Sequence, residues 1–159
     1  MKILEKIKKA FKNALTSGWS SEKLTLSFCM GIYIAFSPFP GAHTIMMLAA
    51  KWLFGLNFPI LFISTSFNNP WTMIPFFSLD YVFGYWFMHS FLGWNPGWVI
   101  SLAKVFGSGQ VCLWSFLIGG NILGLLAAVL CYPFMAIVFR KLASRFSVAA
   151  TEKINEVEL

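Results

Sequence analysis

Charged side chains are nearly absent from the middle of this chain of 159 residues. Fifteen of its eighteen Asp, Glu, Lys and Arg residues lie before Leu24 or after Phe139, which leaves Lys51, Asp80 and Lys104 between them. Only 11% of all residues are charged, whereas soluble domains carry about 25%. Since about 20 apolar residues cross a bilayer, the central stretch has room for several crossings. The composition therefore predicts one polytopic membrane domain rather than a soluble fold.

Sequence signatures of metal, cofactor and enzyme chemistry are also missing. Cys29, Cys112 and Cys131 are isolated in apolar runs, without the Cys or His spacing that holds a metal, and are predicted to be small buried side chains. No Gly-rich phosphate loop and no dinucleotide fingerprint occurs. We predict no metal and no cofactor. An intramembrane enzyme is a third-ranked hypothesis, because the two histidines and the central aspartate show no recognisable catalytic spacing.

The basic residues that give the chain its net charge of +6 are concentrated near its two ends. A nucleic-acid partner needs cations spread over a folded surface, so none is predicted. Cations that flank apolar segments instead follow the positive-inside rule. This rule predicts that both termini are cytoplasmic and that the number of crossings is even.

Three segments are predicted along the chain. In residues 1–20, Ile3, Ile7 and Phe11 recur at helical spacing among lysines, which indicates a basic amphipathic helix. We expect it to lie on the bilayer and bind anionic lipids; packing against a soluble partner is the alternative. Residues 21–145 form the polytopic membrane domain and residues 146–159 a polar tail.

Proline, glycine and asparagine divide the membrane domain into short apolar segments. A segment of ten residues covers about 15 Å as a helix, half of the hydrocarbon thickness. The fold class is therefore an all-α integral membrane protein with short and broken transmembrane helices and re-entrant segments. If residues 24–36 and 42–56 both cross, the chain crosses four times; if they form a re-entrant hairpin, it crosses twice. Residues 111–139 form the clearest span.

Two interruptions, Ser37-Pro38 and Asn69-Pro70, share one local pattern. In each, a residue able to cap a helix precedes a proline suited to the first helical turn, which predicts a helix N-terminus. Such termini hold anionic groups in transporters with discontinuous helices; turns at the membrane surface are the alternative. The predicted substrate-binding residues combine these interruptions with the residues that follow them: Ser37, Pro38, Gly41, His43, Thr44, Asn69, Pro70 and Thr72.

Two further predictions concern the interior of the membrane domain. A carboxylate at membrane depth costs several kcal/mol unless it is paired, hydrated or protonated, so we predict that Asp80 pairs with Lys51. The pair serves either packing or a proton relay. Gly120 and Gly124 form a small-residue stripe for close helix packing. Homo-oligomerisation is left open.

The ordered motifs resemble a known family. F-S-P-F-P-G-A-H-T from Phe36 to Thr44, and N-P-W-T-M-I-P from Asn69 to Pro75, are similar to the bacterial membrane family catalogued as domain of unknown function twenty sixty-two. The resemblance implies a location in the bacterial inner membrane, but it implies no biochemical role. Lys51 and Asp80 are not part of the family pattern. Two functions are carried forward: a small transporter or lipid-translocating protein with a polar site at the two interruptions, and a non-transport scaffold or accessory subunit.

Overall fold

The computed structural model describes residues 19–39, 41–69, 71–94, 99–101 and 110–157. Within them lie the helices α1 (Ser21–Phe36), α2 (His43–Phe54), α3 (Phe58–Thr65), α4 (Met73–Trp86) and α5 (Leu113–Val157), and α4 is extended by the π-helical turn Phe87–Phe91. The amphipathic helix predicted over residues 1–20 falls almost wholly outside the described residues, as do Pro70 and Lys104. The predicted polar tail is helical as far as Val157.

The helical fold class is confirmed for the elements that form the body of the protein, with one correction. Two strands, β1 (Val99–Ser101) and β2 (Gln110–Cys112), pair antiparallel with Val99 opposite Cys112. The span predicted to start at residue 111 therefore begins at Leu113, after a strand. Val99 and Ile100 are β-branched residues that favour a pleated backbone, a signal that the all-α prediction passed over.

Helices α1 and α2 form an antiparallel hairpin. Its turn follows Phe36, and there the Ser37 Oγ donates to the Met46 Sδ at 3.4 Å. At the open end, the Lys23 Nζ donates to the Phe54 carbonyl at 2.9 Å. Gly41 has a φ of 86°, a left-handed conformation that costs glycine little and that lets the chain reverse.

Helix α3 runs parallel to α1. The Ser27 Oγ accepts from the Asn57 N–H at 2.8 Å near the start of both helices, and the Asn68 Nδ2 donates to the Ala35 carbonyl at 2.6 Å near their ends. Gly31 permits the close approach between them, since a β-carbon there would meet the Ser64 hydroxyl. The chain after α3 thus arrives beside the turn of the α1–α2 hairpin.

Helix α5 packs against α4 with its first turns and against α1 further along, and glycines line both contacts. A β-carbon on Gly84 would meet the Ser115 carbonyl, and one on Gly119 would meet the Asp80 carbonyl. At Gly124, a β-carbon would lie 3.0 Å from the Phe36 Cβ. Because glycine has no side chain, the backbones of the two helices can approach closely at these positions.

The buried core is small and much of the apolar surface is exposed. One cluster joins Leu24, Ile60 and Phe139, and another lies among α1, α2 and α3. Trp71 is 90% exposed and Leu130 is 74% exposed. Among the described residues, one helical stretch, Leu113–Ser144, is long and apolar enough to cross a membrane by length and composition.

Candidate functional site

The first interruption does not begin a helix at Ser37-Pro38, so this prediction is wrong. Ser37 instead ends α1, with its N–H donating to the Ile34 carbonyl at 3.0 Å. The Ser37 ψ of 126° is extended, because the ring of the following proline disfavours helical geometry in the residue before it. Helix α2 begins only at His43, and its N-cap Ala42 makes no side-chain cap.

The polar residues after this interruption have unequal positions. The His43 Nε2 lies 3.2 Å from the Ser37 carbonyl oxygen and so ties α2 to the end of α1. Thr44 is exposed, as is Gly41. Ser37 and Pro38 are buried. The turn therefore presents Ser37 and Pro38, rather than Thr44, to the protein interior.

The second interruption is held by side-chain bonds within the turn that precedes α4, whereas the helix itself begins at Met73, after an N-cap residue, Thr72, that makes no side-chain cap bond to it. The Asn69 Oδ1 accepts from the Trp71 N–H at 3.0 Å and from the Thr72 N–H at 3.1 Å. The Thr72 Oγ1 accepts in return from the Asn69 N–H at 2.9 Å and donates to the Phe67 carbonyl at 2.6 Å. Reciprocal bonds of this kind satisfy the N–H groups at a helix start. Those of Trp71 and Thr72 are therefore engaged within the chain rather than aimed at an anion.

A small cavity lies at the second interruption. It has a volume of about 330 Å³. Two of the predicted residues, Asn69 and Thr72, line it. The other lining residues belong to α3 and to the turn after it: Phe62, Ile63, Ser66 and Phe67. The predicted residues of the first interruption are not among those lining it. The two interruptions therefore do not share this cavity.

The structure does not bring Lys51 and Asp80 together, which corrects the predicted pair. Lys51 is exposed on α2, with its Nζ 5.7 Å from the centre of the Phe58 ring, a cation–π contact. Asp80 lies on α4, against α5, and is 0% exposed. The reason is topological: α2 folds back beside α1 and α3, whereas α4 continues away from the hairpin turn.

Asp80 is the unusual group of the interior. Among the described residues, neither of its carboxylate oxygens has a hydrogen-bond partner, although both are fully buried. A buried polar group without a partner carries the full cost of its desolvation, so its persistence calls for an explanation. A ligand, an ion or a proton bound at this position would supply one.

The surroundings of Asp80 are set by Gly120 and the hairpin turn. The Asp80 Oδ2 lies 3.3 Å from the position of a β-carbon on Gly120, and the Phe36 carbonyl oxygen lies 2.7 Å from the same position. The Pro38 Cδ is 3.0 Å from it. The carboxylate thus shares one small space with the C-terminal end of α1, where helix carbonyls concentrate negative charge. Carboxylate and carbonyl oxygens together favour a cation.

Of the predicted site residues, Pro38, Gly120 and Asp80 therefore meet, with Ser37 adjacent in the chain. The sequence analysis missed one neighbour of Asp80, the Phe36 carbonyl, and one contact further along the same two helices. The Phe36 carbonyl is a backbone group and leaves no sequence signal. Tyr33 and Asn121 join α1 to α5 through a hydrogen bond of 2.6 Å between the Tyr33 hydroxyl and the Asn121 Oδ1. Asn121, an amide within an apolar span, was the detectable signal.

The cysteines and the other side chains that commonly bind metals are not grouped together in the described residues. In the part of the chain that the structure describes, no group of three His, Cys, Asp or Glu side chains could hold a metal ion. Cys29, Cys112 and Cys131 are free, and the first two are buried.

Comparison with known proteins places the chain in a family. The model of a bacterial family matches residues 4–146, which include every element of the site. No curated protein and no solved structure matches the chain. The extent of the family match shows that this chain belongs to the family described as "Uncharacterized protein conserved in bacteria (DUF2062)".

Proposed function

We propose that the protein is an integral membrane transporter whose polar site, at Asp80, binds a cation or a proton. The observation that carries this proposal is the fully buried Asp80 carboxylate, which has no hydrogen-bond partner in the part of the chain that the structure describes and lies beside the turn of a helical hairpin. Ionisable groups inside membrane domains are expensive and usually mark ion or proton pathways.

Placement in a bilayer is supported by the two ends of the molecule. Lys23, Arg140 and Lys141 are exposed at the end where Leu24 packs on Phe139. At the other end, Trp94 and Trp114 lie with ring centres 6.3 Å apart. The helix from Trp114 to Arg140 is about 39 Å long at 1.5 Å per residue, close to the thickness of a bilayer with its interfaces.

Between these ends the chain crosses twice. Helix α5 is one crossing, and α3 followed by α4 forms the other as a broken helix. The α1–α2 hairpin enters from the cationic end and turns beside Gly120, which is about 9 Å along α5 from Trp114, inside the apolar layer. Both termini of the membrane domain then lie on the cationic side, which is the cytoplasmic side by the positive-inside rule. Of the two arrangements that the sequence left open, this is the hairpin.

The charge of the site favours cations over the anions expected from the sequence. The N–H groups of the second interruption are satisfied by Asn69 and Thr72. The first interruption presents the carbonyl end of α1 to Asp80. Unwound carbonyls and helix C-terminal ends coordinate cations in transporters with broken helices. A hairpin and a broken helix that meet at such a group also provide two elements that could shift relative to α5.

Ion flux into proteoliposomes tests the proposal. The full-length protein is reconstituted with an internal pH indicator, and a potassium diffusion potential drives inward proton movement, with sodium uptake measured in parallel. Wild-type protein should exceed empty vesicles in at least one of the two measurements, and Asp80→Asn should abolish that excess. Ser78→Ala, an exposed change on the same helix, is the matched control. Wild-type flux no higher than that of empty vesicles would refute the transport proposal and favour the scaffold alternative. Equal flux by wild type and Asp80→Asn, both above empty vesicles, would refute the assignment of the site to Asp80.

A further inference from the structure

A second, larger groove lies away from Asp80, between α1, the end of α2 and α5. Its volume is about 480 Å³, which falls within the range of about 300–1,000 Å³ typical of small-molecule sites. The lining is mainly apolar and includes Leu26, Met30, Leu56, Leu125 and Ala128. An occupant of this groove is therefore mostly apolar.

Among the described residues that line the groove, Lys23 is the charged one, and it lies at the open end of the α1–α2 hairpin. Within the described part of the chain, its Nζ donates once, to the Phe54 carbonyl at 2.9 Å. An ammonium group has three N–H donors, so two are available to an occupant. Arg140 and Lys141, exposed at the same end of the bundle, add positive potential there. The polar end of the occupant is therefore anionic.

The length of the groove indicates what kind of apolar group it takes. Lys23 and Tyr33 both line it, and they are separated along α1 by about 15 Å. This distance is half of a hydrocarbon layer of about 30 Å, the depth of one leaflet. A single acyl chain that descends from a headgroup at Lys23 matches this depth.

We propose that the groove binds one acyl chain of an anionic phospholipid from the leaflet on the cationic side, with its phosphate at Lys23. The proposal requires the bilayer placement argued above but not transport, and its test measures binding alone. It is also independent of the predicted lipid contact of residues 1–20.

Native mass spectrometry of the full-length protein tests this assignment. The detergent-purified protein is titrated with phosphatidylglycerol or phosphatidylcholine, and the lipid-bound fraction is measured. Lys23→Gln removes the cation, with Lys141→Gln as its control. Leu125→Trp fills the groove, with Leu126→Trp as its control, because Leu126 is exposed on the same helix but does not line the groove.

The two pairs of variants give distinct expected outcomes. Lys23→Gln should weaken phosphatidylglycerol binding by about tenfold, the effect of losing one charge-assisted hydrogen bond, and weaken phosphatidylcholine binding less, because the choline cation of that lipid partly neutralises its phosphate. Leu125→Trp should remove the tightest bound lipid of either kind, and neither control should do so. If Leu125→Trp keeps that lipid, the groove is not the site. If Lys141→Gln weakens binding as much as Lys23→Gln, the attraction is a diffuse effect of surface charge and the assignment to Lys23 is wrong.

Discussion

At the scale of single residues, Asp80 shows how far local sequence reasoning reaches. A carboxylate within a long apolar segment indicates a buried functional group, and the structure does bury it. The partner was not predictable in the same way, because pairing depends on which helices become neighbours. Lys51 shares a helical face with Thr44, but that face is exposed. Sequence periodicity shows on which face of its own helix a side chain lies, but it does not show which residues of a neighbouring helix that face contacts.

Stability measurements on Asp80 and Lys51 check that they are separate. Asp80→Asn keeps the shape of the side chain, and without a native partner it should lower the free energy of unfolding by less than about 1 kcal/mol. Breaking a true buried pair costs about 3–5 kcal/mol. Because the residues do not touch, the effects of Asp80→Asn and Lys51→Met should add in the double variant, to within about 0.5 kcal/mol. Denaturation in detergent measures these free energies of unfolding. Strong non-additivity would show that Asp80 and Lys51 do interact.

Gly119 supports a second prediction at this scale. Alanine in an exposed helical position is more stable than glycine by about 1 kcal/mol. At Gly119, however, the added β-carbon would meet the Asp80 carbonyl, a backbone atom that cannot rotate away. Gly119→Ala should therefore destabilise the protein by about 1–3 kcal/mol, the usual cost of overpacking. Leu126→Ala, on the exposed face of the same helix, is the control. Higher thermal stability of Gly119→Ala would show that α4 and α5 are further apart than described.

At the scale of elements, the two interruptions explain why one prediction succeeded and the other failed. Asn69 and Thr72 hold the turn that leads into α4 through contacts within a few residues, so the sequence contains all the partners. Ser37-Pro38 carries the same local signature, yet Ser37 ends a helix. A Ser-Pro pair fits the end of one helix as well as the start of the next, and the intervening Gly41 turn postpones α2 until His43. The local pattern does not predict the geometry of this turn, and the predicted helix start at Ser37-Pro38 was wrong for that reason.

The cap at Asn69 and Thr72 can be removed without changing side-chain volume. Thr72→Val deletes the hydroxyl that bonds the Asn69 N–H and the Phe67 carbonyl. Loss of such a cap costs about 0.5–2 kcal/mol, and we expect a corresponding drop in the thermal midpoint. Thr44→Val, the same chemical change at an exposed position, should have little effect. Equal midpoints for both variants would show that the interruption is not held by this cap.

At the scale of the whole molecule, apolar composition predicted a membrane domain but left the number of crossings open. Segment lengths cannot decide it, since α1 and α2 are intermediate between a half span and a full span. The proposed arrangement with two crossings rests on long-range contacts between α1 and α5: Tyr33 with Asn121, and Phe36 with Gly124. They set the depth of the hairpin turn against α5, which no local pattern specifies.

Accessibility of single cysteines distinguishes two crossings from four. In a background with Cys29, Cys112 and Cys131 replaced by alanine, three exposed positions are tested: Phe39→Cys in the hairpin turn, Ser90→Cys beyond α4 and Ser144→Cys on α5. A membrane-impermeant maleimide applied from outside should label Ser90→Cys but not Ser144→Cys, which reacts only after the membrane is opened. In a four-crossing arrangement the hairpin turn would reach the outer surface, so Phe39→Cys would react as fast as Ser90→Cys. In the arrangement proposed here, Phe39 faces the apolar layer, where maleimide and thiolate are both scarce. Phe39→Cys should therefore stay largely unlabelled from either side of the intact membrane and react only after denaturation.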